Sequence, residues 1–212
     1  MSVIRPARQM TNQHIEQRAA KLLADFQRAT GTQLMSPPVP IQQIVESHLD
    51  LHLMYDEIPQ DEGERILAYI DPAKRAICLN TAHLNLFNDV IGTEAFTLAH
   101  EAGHWELHIF REANINLAPR YTGTGERFLC RANRNDPREY QANRFAAALL
   151  MPRYLVLAAV KGKRLNRWDI IQGLAGDFGV SKEAFKIRLE TLGLIEVVNK
   201  SIQPLHKTKG IN

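Results

Sequence analysis

One short motif constrains this chain most: His100-Glu101-Ala102-Gly103-His104, flanked by Phe96-Thr97-Leu98-Ala99 and Trp105-Glu106-Leu107-His108. On a helix, residues four apart share a face about 5–6 Å apart, so His100 and His104 can converge on one metal ion. Zn²⁺ accepts imidazole nitrogen at about 2.0–2.1 Å and keeps a position open for water where it is catalytic. Glu101 projects about 100° further round the helix, where it can act on that water as a base without becoming a ligand. Thr93 is the expected N-cap, and Ala95, Phe96, Ala99, Ala102 and Gly103 keep the helix small or apolar. Buried polar groups need partners, so the motif implies a site; the plainer alternative is a solvated polar stripe. His108 continues the stripe but lies about 12 Å along the axis from His100, too far for both to hold one ion. It is read as a support for the site or a surface residue. Leu107 and Phe110 stand where a longer signature has a glycine and a third histidine, so a third ligand must come from elsewhere.

The second informative stretch runs from Glu139 to Pro152. Asp136 is the expected N-cap and Pro137 the first residue of a helix that Pro152 ends. Ala142, Phe145, Ala146, Leu149 and Leu150 form an apolar face at helical spacing. Glu139 and Asn143, four apart, share another face. A carboxylate completes a familiar catalytic zinc set with two histidines, and Asn143 could hold the second nitrogen of a ligand histidine. Equally, Glu139 could simply favour the positive end of its helix.

Together the two segments resemble the ImmA/IrrE family of metallopeptidases. The matching pieces are Phe96-Thr97-Leu98-Ala99-His100-Glu101-x-Gly103-His104-Trp105-x-Leu107-His108 and Glu139-x-Gln141-Ala142-Asn143-x-Phe145-Ala146-Ala147-x-Leu149-Leu150-Met151-Pro152. The resemblance spans about 13–195 and is strongest over 94–152. It implies zinc held by His100, His104 and Glu139, with Glu101 as base, and a transcriptional repressor as substrate. Gln141 stands where many members carry a second glutamate, which does not touch an implied ligand.

The rest of the chain fits one α+β unit. Its 212 residues suffice for one domain with a small appendage. The expected division is a zincin-like domain at 13–155, with a small antiparallel sheet on the motif helix, and a C-terminal helical unit at 165–199. A net charge of +3 is too mild to argue for nucleic acid or a membrane as partner. Two cysteines, Cys78 and Cys130, make no disulfide framework. No run approaches the ~20 apolar residues that span a bilayer, and the N-terminus lacks a signal-peptide core, so a cytoplasmic protein is expected.

In order, the pattern predicts a loose arm at 1–12, an amphipathic helix from His14 to Ala29 stopped by Gly31, and a stiff connector over Ser36–Pro40. A second helix then opens at Pro40 and ends near His48. Leu49 to Met54 alternates as a strand, and Ile66–Ile70 and Arg75–Leu79 form a hairpin about Asp71-Pro72-Ala73-Lys74. Residues 80–92 read as a loop. Residues 111–138 read as an irregular connection over the cleft, with Tyr121 and Arg127 as candidate transition-state contacts. Trp168–Phe178 and Ser181–Leu192 read as two short helices about Gly179, a helix-turn-helix pattern with Lys182, Lys186 and Arg188 as its basic side chains.

Three functions compete. The first is a zinc endopeptidase. The second is a regulatory protein whose C-terminal helices contact DNA or a repressor and whose metal site is structural or vestigial. The third is a cysteine hydrolase using Cys78 or Cys130, for which neither cysteine has a recognisable nucleophile context.

Overall fold

The computed structural model describes residues 10–62, 65–109, 128–131, 136–199 and 201–205. Tyr121, Arg127 and the Cys130 side chain lie outside the described residues, as do most of the 111–138 connection and the first nine residues.

The fold is mixed α+β. Helix α1 (Asn12–Thr30) starts on Thr11, whose side chain accepts from His14 N, and stops at Gly31, whose φ of 67° is left-handed. Its buried stripe is Ile15, Ala19, Leu22, Leu23 and Phe26. Helix α2 (Ile41–Gln43) runs on as a wider π-type turn through His48, with Ile44 and Val45 buried.

Strands β1 (His52–Asp56), β2 (Ile66–Asp71), β3 (Ala76–Asn80) and β4 (Phe128–Arg131) form one sheet in the order β1-β3-β2-β4. The expected hairpin is present: β2 and β3 pair antiparallel, and Asp71 Oδ1 accepts from Ala73 N and Lys74 N inside the turn. The sheet is not wholly antiparallel, however. Strand β1 lies parallel to β3, with His52 opposite Ala76. It also begins three residues later than the alternation from Leu49 suggested, because Leu49 and Leu51 are buried beside the preceding turn.

Residues 80–92 are not a plain loop. A 3₁₀ turn over Thr81–His83 leads into α3 (Leu84–Asp89), which buries Phe87. Helix α4 (Thr93–His104) carries the motif, and β2 packs against it. Its cap is Gly92 at φ 81°, not Thr93. A side chain at Gly92 is doubly excluded, since a Cβ there would lie 2.5 Å from Gly179 O. The helix continues as a π-type turn, Trp105–Ile109.

Helix α5 (Pro137–Leu150) lies along α4 and also against α1. Asp136 caps it, accepting from Arg138 N, as the sequence predicts. Helices α6 (Arg153–Val160), α7 (Trp168–Asp177) and α8 (Lys182–Thr191) follow, with Ser181 capping α8. A hairpin absent from the sequence reading closes the described chain: β5 (Ile195–Val198) with β6 (Ser201–Pro204). One apolar core includes Leu98, Phe145 and Leu149 together with Phe178, Phe185 and Leu189, so it runs through both the 13–155 and the 165–199 stretches.

Arg188 is not a surface cation as the helix-turn-helix reading supposed. It is 2% exposed; its Nε donates to Met151 O at 2.9 Å, and its guanidinium pairs with Glu16. Of the three basic side chains, only Lys182 is fully on the surface; Lys186 is partly buried and tied to Glu183. Among the described residues, no single helix is long and apolar enough to cross a membrane.

Candidate metal centre

Helix α4 brings His100 and His104 to the face that meets α5, and α5 supplies Glu139 from its first turn. His100 Nε2 lies 3.2 Å from Glu139 Oε2, and His104 Nε2 lies 3.1 Å from Glu139 Oε1. The two Nε2 atoms are 2.9 Å apart. His100 and His104 are buried and Glu139 is nearly so.

The tautomer follows from the neighbours. His100 Nδ1–H donates to Asn143 Oδ1 at 2.9 Å, leaving Nε2 of the neutral ring as a lone pair aimed at the centre. Two imidazole nitrogens and a carboxylate thus point their electron pairs at one small volume. That arrangement is repulsive unless a proton or a cation sits between them. Ligand atoms at roughly 2.0–2.1 Å from zinc in a tetrahedron are about 3.3–3.4 Å apart. The three atoms here are separated by 2.9–3.2 Å, so the residues fit a divalent cation with little movement. His100, His104 and Glu139 form the metal-capable cluster found among the described residues.

The electrostatics agree. Burial alone would push the His100 imidazole down. The Glu139 hydrogen bond and the charges of Glu101 and Glu139 overcome it, and its pKa ends above the ordinary value. Burial raises the Glu139 carboxyl, but bonds to His100 and His104 outweigh that and hold it at about 2. Charge on the carboxylate and positive charge in its pocket therefore favour each other.

Glu101 is fully buried. Asn143 fills the place the spacing gave it, bonded to His100. His108 is half-buried, its ring centre 5.4 Å from that of His104, and it is not among the converging atoms. Burial, and then His104, push its pKa down to about 4, so it packs as a neutral ring. Sequence reasoning missed how tightly the two helices approach at Gly103 and Ala142; the signal was a glycine inside the motif facing an alanine-rich helix.

The model of the Peptidase M78 family, described as the IrrE N-terminal-like domain, matches residues 67–190, more than half of the chain. The chain belongs to this family. The M78 match takes in the motif helix, Glu139, α6, α7 and α8 up to residue 190, and it supports the resemblance to ImmA/IrrE metallopeptidases. No curated protein sequence matches the chain. As an M78 member the chain falls among the metallopeptidases, and His100, His104 and Glu139 are a group that could hold a metal ion.

Proposed function

We propose that the chain is a zinc-dependent endopeptidase that hydrolyses peptide bonds of an intracellular protein, a transcriptional repressor by family resemblance. The observation that carries this reading is the convergence of His100 Nε2, His104 Nε2 and a Glu139 oxygen on one point. On this reading those three side chains hold Zn²⁺, and the domain is zincin-like. Bound zinc supplies a Lewis acid for the substrate carbonyl and lowers the pKa of a water towards about 7.

The chain's own residues do the rest. Asn143 Oδ1 fixes the His100 ring so that Nε2 faces the centre. The Glu101 carboxylate takes a proton from the attacking water and delivers it to the departing amide nitrogen. His108 packs against His104 and steadies it rather than binding the ion. The surrounding apolar helices keep bulk water away, which strengthens each of these interactions.

The test is incubation of zinc-loaded protein with repressors encoded beside it, read by mass spectrometry. Glu101→Gln should keep zinc and lose cleavage, whereas His104→Ala should lose both. Unchanged proteolysis by purified Glu101→Gln ends the assignment of the base.

A further inference from the structure

Helix α6 buries Leu155 and Val156 and leaves Arg153, Tyr154, Leu157, Ala158 and Lys161 exposed. At about 100° per residue these five positions lie within about 140° of one another, so they make one outward stripe along the helix. The stripe is partly apolar: Tyr154 is 48% exposed and Leu157 38%. Tyr154 Oη donates to Leu34 O at 3.0 Å, which brings the Leu34–Met35 segment beside the helix. Met35, 78% exposed, is the most open large apolar side chain among the described residues.

Positive charge continues the stripe. Lys161, Lys163 and Arg164 stand exposed where the chain leaves α6, and the sequence has no acidic residue between Glu139 and Asp169. Arg153, Lys161, Lys163 and Arg164 take part in no ion pair among the described residues, unlike Arg167, which Asp169 holds. The whole chain is only +3, so the four charges gathered here leave the rest of it close to neutral.

The mixture says what the face meets. Cations alone would suit any polyanion, nucleic acid included. A duplex phosphate backbone, however, offers no apolar surface to Tyr154, Leu157 and Met35. The boundary between lipid headgroups and acyl chains offers both: aromatic and apolar side chains enter it, and Lys and Arg meet the anionic headgroups. We propose that the outer face of α6, with Met35 and the basic residues 161–164, docks on the surface of an anionic bilayer. Helix α6, eight residues and about 12 Å long, lies along that surface rather than across it. The proposal is independent of the peptidase reading and adds a place of action to it.

The test uses the full chain at low salt, with binding read by flotation. Vesicles of phosphatidylglycerol and phosphatidylcholine in equal parts should carry the protein upward, and vesicles of phosphatidylcholine alone should not. Salt at about 1 M, which screens charges beyond roughly 3 Å, should release most of it. Each cation near an anionic surface contributes about fivefold in binding, so Lys161→Gln with Lys163→Gln should weaken it about 25-fold. Met35→Ser with Leu157→Ser keeps every charge and should weaken it severalfold. Lys74→Gln removes an exposed cation from the β2–β3 turn and should change nothing. All these side chains are at the surface, and melting curves establish that each variant folds; Arg164→Gln repeats the charge test should one fail.

A wild type that stays off the anionic vesicles overturns the proposal. So does a Lys74→Gln protein weakened as much as Arg164→Gln, which would assign binding to net charge alone. Vesicle binding undiminished by Met35→Ser with Leu157→Ser overturns it too, and if the wild type then retains duplex DNA that Lys161→Gln with Lys163→Gln loses, the patch belongs to nucleic acid.

Discussion

A β-carbon placed on Gly103 would lie 3.1 Å from the Cα of Ala142. The backbones of α4 and α5 touch there, one residue before His104 and three beyond Glu139. A glutamate is short, and it reaches both imidazoles only because nothing separates the helices. Gly103→Ala should gain roughly 1 kcal/mol of helix propensity but lose about 1–3 kcal/mol to overpacking against a backbone that cannot yield. The expected result is net destabilisation together with weaker zinc binding, and Gly103→Val should be worse on both counts. Thermal unfolding and a zinc competition assay check it; a stabilised Gly103→Ala with unchanged zinc affinity would refute the close-approach account.

Metal should be part of the stability of the site. A cation that binds only the folded chain stabilises it by about 2.7 kcal/mol at a hundred times its dissociation constant. Melting temperature should therefore rise with zinc and fall with a chelator, and Glu139→Ala should lose most of that response. Protons compete for the same atoms. The His100 pKa is raised in the metal-free protein, so apparent zinc affinity should weaken as pH falls through the range where His100 takes up its proton. Titrations at several pH values would show this, and a pH-independent affinity would count against His100 as a ligand.

Asn143→Ala removes the acceptor that orients His100. Such supports typically contribute 10–100-fold in metal affinity or activity. Zinc binding should weaken by about that factor, while unfolding of the metal-free protein changes little beyond the loss of one hydrogen bond. Isothermal titration separates the two effects.

Asp136→Ala should cost about 1 kcal/mol by uncapping the helix that carries Glu139. The Arg138 hydrogen bond holds the Asp136 carboxyl below its ordinary 3.8. A carboxyl with a depressed folded pKa contributes above its unfolded value and loses that contribution as pH falls through the folded one. The stability gap between wild type and variant should be constant at neutral pH and close below about pH 4. Denaturant titrations from pH 7 to pH 3 measure it.

The parts of the fold written into local chemistry are the ones a reader of the sequence finds. Helix α1 has its stripe and Gly31, α5 has Asp136 and Pro137, and the β2–β3 hairpin has its Asp-Pro turn. His100, His104, Glu139 and Asn143 are legible for the same reason: each pair is a spacing of four within one helix. Pairing between distant segments is not periodic. That β1 runs parallel to β3 depends on how the chain leaves β1, where Asn80 Oδ1 accepts from Ile58 N at 3.1 Å and its Nδ2 donates to Ile66 O at 2.8 Å. Helix α3, of six residues, and the four-residue strands β5 and β6 are too short to show a period. Arg188 looks like a surface cation because its partner, Glu16, is 172 residues away in the chain.

That pairing binds the first described helix to the last, and it sets an order of events during synthesis. Until residue 188 has left the ribosome, Glu16 lacks the Arg188 guanidinium, and α1 meets α5 without that tie to α8. A nascent chain halted before α8 should therefore be more open to an added protease within α1 than the complete chain.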